Sequence, residues 1–504
     1  MTEPMLLAKA GELDLVLLPE MGNRHGVVTG ATGTGKTVTI QAMIERFSDV
    51  GVPVFVSDVK GDLAGLGAQG GGNEKVDERL AELSLPPLQP TGYPVVFWDV
   101  YGQKGHPVRS TISEMGPLLL ARLLELNDTQ TGVLQVGFAY ADDQKLPLID
   151  LADLRALLNH VSDQRQELTV DYGSVAPASI GAIQRGLLRL QEAGGELLFG
   201  EPSLELQDFI ATAPDGRGYV NVLAADKLYH QPVAYATFLL WMLSELFETM
   251  PEVGDQDKPA LVFFFDEAHL LFKDMPKSLG DRIEQVVRLI RSKGVGIYFI
   301  TQMPIDIPDP VLGQLGNRIQ HALRAYTVRD QRSIKAVAET FRTNESFDIE
   351  QAVTGLGVGE ALVSLLNEDG APSVVERAKI IPPRSRIGTL LPGERSEIVR
   401  KSPHVGRYED QVNRESAYEI LQARLKRAEL EAAAKQDRLE WEEEREEIEK
   451  ERAKLDKEQS KRPSSRRRSS KDPIEELLGD TANTFGRQLG RTIVRGIIGS
   501  LKRR

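Results

Sequence analysis

Short β-branched runs alternate with helical spacings along the first three quarters of the chain. The runs at 25–29, 52–57, 95–100, 219–223, 261–265, 295–300 and 320–324 are rich in Val, Ile and Phe, as strands buried on both faces require. Strands separated by helical patterns predict a doubly wound α/β domain with a central, mostly parallel sheet over residues 1–390. Between about 110 and 208 the spacing becomes helical, most clearly in LADLRALLNHV and SIGAIQRGLLRLQEA, which predicts a helical insertion in the sheet. The segment IIPPRSRIGTLLPGERSEI combines Pro, Gly and Arg and reads as a strap or linker, with the linker placed at 391–411.

Beyond it, residues 412–460 contain no Gly or Pro and are dominated by Glu, Lys, Arg, Ala and Leu. This predicts a long solvated helix; its sparse apolar positions leave both a coiled coil and a single charged helix open. SKRPSSRRRSSKD, at 461–472, reads as a disordered basic linker. Within 473–504 an amphipathic helix sets Phe485, Leu489, Ile493, Ile497 and Leu501 four apart, with Arg487, Arg491 and Arg495 off the stripe. Six Lys/Arg and no acid follow Asp480, so this helix suits an anionic membrane surface or DNA. Its small residues Gly486, Gly490, Gly496 and Ser500 equally suit close packing against another subunit or a protein partner.

Composition narrows the classes. At 504 residues the chain can hold two to four domains. No apolar run reaches a membrane span, and the first residues lack the basic start of a signal peptide. The absence of cysteine excludes a disulfide framework, a thiolate metal site and a Cys nucleophile, and with them comes the expectation of a cytoplasmic protein. A net charge of −13 weighs against a basic coat for nucleic acid, while leaving room for a local basic pore or tail.

The candidate chemistry starts at VVTGATGTGKTVTIQAM. Gly30, Ala31, Thr32, Gly33, Thr34, Gly35, Lys36 and Thr37 match G-x-x-x-x-G-K-[ST] between a predicted strand and a predicted helix. Glycines let several backbone amides converge on one anion, Lys36 reaches the β- and γ-phosphates, and the Thr37 hydroxyl suits Mg²⁺. The loop therefore reads as a nucleoside triphosphate site. ALVFFFDEAHLLF is an apolar strand ending in Asp266 and Glu267, which places one carboxylate to hold Mg²⁺ and the next to polarise water. That second acid favours hydrolysis over phosphoryl transfer to a metabolite and over a non-hydrolysing switch. GVGIYFITQMP ends in Thr301 and Gln302, where an amide suits a sensor of the γ-phosphate. Asp58, Lys60 and Asp62 follow another strand, and a turn accounts for them as well as chemistry does. Arg318 and Arg324, near the next strand, are the candidates for a cation completing the site from a neighbouring subunit.

The order of these segments, TGATGTGKT, DVKGD, YATFLLWMLSELFE, FFFDEAHLLF, RSKGVGIYFITQ and DIPDPVLGQLGNRI, resembles the HerA/FtsK group of ring-forming motor ATPases. Within it the sequence is most similar to bacterial HerA-like proteins. DEAH beside TGTGKT also invites a superfamily-two helicase, but that family carries a Ser-Ala-Thr element where this chain has Thr301 and Gln302. The resemblance implies a RecA-like P-loop NTPase fold, ATP and Mg²⁺ as cofactors, and Lys36 and Thr37 on phosphate and metal. It implies Asp266 on the metal, Glu267 as the base, Gln302 as the sensor, and Arg318 or Arg324 as a finger acting across a subunit boundary. It further implies a homo-oligomeric ring, usually a hexamer, acting on DNA as a helicase or translocase. Archaeal HerA helicases place a long β-barrel before the loop, whereas 29 residues precede Gly30 here; the motor is carried over and the barrel is not. The alternative function is an ATPase that remodels a protein or membrane-associated partner through its C-terminal helix, without nucleic-acid activity.

Overall fold

The computed structural model describes residues 3–192, 194–273, 277–324 and 327–459. The chain forms two compact units, Met1–Leu425 and Lys426–Arg504.

The first unit is built on one twelve-stranded sheet. Its strands in chain order are β1 (Met5–Ala10), β2 (Leu13–Leu17), β3 (Gly26–Thr29), β4 (Val54–Asp58), β5 (Val95–Asp99), β6 (His106–Pro107), β7 (Val220–Ala224), β8 (Leu261–Phe265), β9 (Val295–Thr301), β10 (Asn317–His321), β11 (Glu360–Ser364) and β12 (Glu376–Ile380). They lie in the order β2-β1-β12-β11-β10-β3-β9-β8-β4-β7-β5-β6. From β10 to β6 every neighbouring pair is parallel, and the four strands beyond β10 pair antiparallel. The parallel core follows the hydrophobic runs closely. Its one clear displacement is β10, which spans Asn317–His321 rather than 320–324; after His321 the chain leaves the sheet, and the Ala322 carbonyl accepts the Ala31 amide at 2.9 Å.

The helices are α1 (Lys36–Asp49), α2 (Glu74–Glu82), α3 (Ile112–Leu123), α4 (Asp128–Asp143), α5 (Leu151–Asp163), α6 (Arg165–Tyr172), α7 (Pro177–Glu192), α8 (Pro232–Thr249), α9 (His269–Phe272), α10 (Lys277–Leu289), α11 (Asp309–Leu312), α12 (Val328–Thr340), α13 (Ile349–Thr354), α14 (Pro392–Arg400) and α15 (Ala417–Gln459). Successive residues of a buried strand serve opposite faces of the sheet. Phe263 and Phe265 join the core formed with α8 and the helices α3 to α7, whereas Phe264 joins Ile40, Met43, Ile44 and Phe47 of α1 on the other side. That two-sided burial is why these strands read as unbroken apolar runs. Among the described residues no helix is long and apolar enough to cross a membrane.

The segment 391–411 departs from the expected linker. It is a folded strap whose helix α14 lies against β5, with the Arg395 guanidinium 4.3 Å from the Phe97 ring centre. Ile398 and Val399 join the core, and His404 and Tyr408 pack on Trp98 at 5.3 and 5.4 Å. Pro and Gly set the turns of this segment, but its apolar and aromatic residues decide where it sits. The start of α15 is tied to the insertion: Asp153 Oδ1 accepts the Ser416 hydroxyl at 2.5 Å and the Tyr418 amide at 2.8 Å.

In the second unit, α15 is solvated from Lys426 to Lys457 and carries i,i+4 pairs such as Arg427–Glu431 and Arg438–Glu442. The basic linker and the amphipathic helix expected at 461–472 and 473–504 lie outside the described residues.

Candidate nucleotide site

At the end of β3 the chain must curl before α1 can begin, and glycine makes the curl possible. Gly30 has φ 146°, and a Cβ there would stand 2.5 Å from His321 Cβ. Gly35 has φ 112°, and its Cβ would stand 3.0 Å from the Gly359 amide nitrogen. Any side chain at either position meets both a strained backbone and a clash. The loop is braced from outside: Gly359 N donates to Thr34 O at 3.0 Å, and Thr34 Oγ1 donates to Ala31 O at 2.8 Å. Beneath it, His321 lies 2.9 Å from Thr39 Oγ1 and 2.9 Å from Glu360 O, and burial pushes its pKa down to about 4. The floor of the loop is thus a neutral imidazole.

Lys36, the first residue of α1, curls back over the loop and donates to Gly30 O at 2.5 Å and Ala31 O at 3.1 Å. Burial lowers its pKa, Lys60 adds to this, and Glu267 and Asp266 oppose it. Thr37 follows at the helix start, where the dipole and free amides favour an anion.

The second half of the site comes from β8. The Asp266 amide donates to Ser57 Oγ at 3.0 Å, and the Tyr235 hydroxyl lies 2.8 Å from the Asp266 carbonyl. Burial, with the charge of Glu267 adding to it, pushes Asp266 up to about 6. Glu267 is a buried non-glycine residue at φ 49°, a conformation that costs on the order of 1 kcal/mol or more and gathers at functional sites. His269 stands beside it, Nδ1 to Oε2 3.3 Å. This contact holds the Glu267 carboxyl below its ordinary range and raises His269 in return. At the end of β4, Asp58 Oδ1 accepts the Gly61 amide at 2.7 Å while its buried Oδ2 has no partner. Burial and then Asp62 push Asp58 to about 7.

These groups meet around one cavity of about 390 Å³. Thr32, Gly33, Gly35, Lys36 and Thr37 line it together with Asp266 and Glu267, and Lys60 and Asp62 join them. An ammonium, a hydroxyl and loop amides facing two carboxylates form the donor set that a polyphosphate with a divalent cation requires.

Gln302, Arg318 and Arg324 lie outside the lining of this cavity. Gln302 is exposed at the tip of β9 and does not line the cavity; its neighbour Thr301 does, with its hydroxyl held on Asp306 at 3.1 Å. Arg318 donates to the carbonyls of Leu315, Thr340 and Leu312 at 2.9, 3.0 and 3.0 Å, so it binds together the turns around β10 instead of reaching outward. Arg324 is exposed just beyond β10. Val358, Ile387 and Gly388 also line the cavity and were not expected there. The glycine-rich run GLGVGE at 355–360 was the signal for the first of these; nothing local marks the other two.

The profile of the helicase HerA-like C-terminal family matches residues 3–504. A probable helicase of Methanocaldococcus jannaschii is 20% identical over 345 residues, covering 68% of this chain and 60% of that protein. The DNA double-strand break repair helicase HerA of Sulfolobus acidocaldarius is 21% identical over 362 residues, covering 68% of this chain and 62% of that protein. This chain therefore spans about three fifths of the length of these relatives. Among solved structures, VirB4 of Thermoanaerobacter pseudethanolicus aligns with TM-score 0.49 and 15% identity over 75% of this chain and 96% of its own. The plasmid coupling protein TrwB in complex with ADP and Mg²⁺ aligns with TM-score 0.48 and 12% identity over 76% and 91%.

Proposed function

Because the chain belongs to the helicase HerA-like C-terminal family and is a P-loop ATPase of that family, we propose that it is the ATP-hydrolysing motor of a homo-oligomeric, hexameric ring that moves along DNA. The observation that carries this reading is the meeting of the Gly30–Thr37 loop with Asp266 and Glu267 around one cavity. The loop amides and Lys36 take the phosphates of ATP. The Thr37 hydroxyl and the Asp266 carboxylate hold Mg²⁺, which when bound neutralises charge on the phosphate oxygens. Glu267, kept ionised by His269, accepts the proton of the attacking water. Asp266 is the more readily protonated of the two acids, and a bound cation draws it into its ionised form.

Arg324, exposed beyond the strand next to the loop strand, is the residue assigned to the neighbouring subunit's site in such a ring. Gln302, exposed at the tip of β9, is assigned to the same boundary as the sensor. The names of the relatives, both helicases and one of them acting in DNA double-strand break repair, support DNA as the track.

The test is steady-state ATP hydrolysis with and without double-stranded DNA, single-stranded DNA and RNA at two salt concentrations. Stimulation by DNA that weakens as salt rises is expected of a motor gripping phosphates. A rate indifferent to every nucleic acid overturns the DNA track and turns attention to a protein or membrane-associated client of the C-terminal segment.

A further inference from the structure

The cavity has two chemically different ends. Its carboxylates, Asp266 and Glu267 after β8 and Asp62 after β4, lie on one side of the loop strand β3. Val358 comes from the turn before β11, on the other side of β3. Ile387 and Gly388 come from the strap that crosses α1, where Glu45 receives the Arg384 and Ser385 amides at 2.8 and 2.9 Å. Val358 is 71% exposed and Ile387 40% exposed, so two branched apolar side chains face open space at the rim of a polar, charged site. Neither has a packing reason to be apolar there.

The backbone around this rim is already committed. The Gly359 carbonyl accepts both Arg79 Nη1 at 3.0 Å and the Ile380 amide at 2.9 Å, and the Val358 carbonyl accepts Arg79 Nη2 at 3.1 Å. The Gly359 amide is held by Thr34 O, and the Gly388 carbonyl accepts the Gly65 amide at 3.0 Å. The rim therefore presents apolar side chains, while the Val358, Gly359 and Gly388 carbonyls and the Gly359 amide are bound to the protein itself. A ligand part seated on these side chains is held mainly by surface contact.

We infer that Val358 and Ile387 form the seat of the nucleobase, and that this seat accepts purines with little discrimination between adenine and guanine. The inference rests on the loop reading given above: once the phosphates lie between the glycine loop and the acids, the nucleoside must leave by the opposite end, where these two side chains stand. A flat aromatic base covers them and removes apolar surface from water. An apolar surface rejects an analogue that differs in polar substituents only weakly, whereas a hydrogen-bonding seat rejects it by several orders of magnitude.

Binding decides the point, measured by calorimetry on the full chain with MgATP, MgGTP and magnesium tripolyphosphate. The expected result is ATP and GTP affinities within about threefold of each other. Val358→Asp and Ile387→Asp should each weaken both nucleotides about tenfold while leaving tripolyphosphate binding unchanged. Both positions are exposed, so the variants keep the fold, and an unchanged thermal melt verifies this. A hundredfold preference for either purine overturns the inference, as does unaltered nucleotide affinity in both variants. A change of assembly state with unaltered nucleotide affinity assigns the pair to a second copy of the chain and also overturns it. Lys36→Ala separates the two readings: if it binds ATP and tripolyphosphate as the wild type does, the phosphate site itself is misplaced and the base seat falls with it.

Discussion

Glu267 holds a left-handed backbone beside a histidine at 3.3 Å and lines the cavity with the phosphate loop. Glu267→Gln should keep MgATP affinity within a few-fold and lower turnover by roughly 10² to 10⁴, the usual share of a general base. Equilibrium binding and single-turnover hydrolysis on the same preparation check both halves. Asp58 gives a second test, through stability. Its ordinary value is 3.8, and burial with Asp62 raises it to about 7 in the folded chain. Over that window the folded chain binds a proton that the unfolded chain has released, so stability falls as pH rises from about 4 to 7. Asp58→Asn removes this loss: thermal melts should show the variant more stable at pH 8, by up to roughly 4 kcal/mol, and equal to the wild type near pH 4. The P-loop residues and the two acids of β8 were legible because their spacing carries the chemistry. Arg318 was not, because its role depends on three carbonyls brought close only by folding.

Strands buried on both faces announced themselves, and the outer antiparallel strands did not. β1, β2 and β12, as MLLAKA, LDLVL and ERAKI, mix charges with apolar residues because part of each faces solvent. The strap was hidden by its own Pro and Gly, although its residue Tyr408 is almost wholly buried. Tyr408 also donates its hydroxyl to Asp208 and packs its ring on Trp98. Tyr408→Ala should cost about 3 to 5 kcal/mol in denaturant unfolding. Were the segment an unanchored linker, the same substitution would change nothing.

A ring motor predicts that neither of two defective chains is hopeless. Arg324→Ala should bind MgATP normally and fail to hydrolyse it. Lys36→Ala retains Arg324 but loses nucleotide. Mixing the two should restore part of the activity, because some subunit boundaries then join an intact loop to an intact arginine; mixtures no more active than their parts argue against a site shared between subunits. The sheet order carries one more consequence, for synthesis. β1 pairs with β2 at once, but its other edge waits for β12, and β3 waits for β9 and β10, partners encoded some 270 to 370 residues later. Over that stretch of synthesis the nascent chain carries unpaired strand edges. It cannot close its nucleotide cavity until Gly388 has emerged, so until then collapse of these open strand edges competes with native pairing.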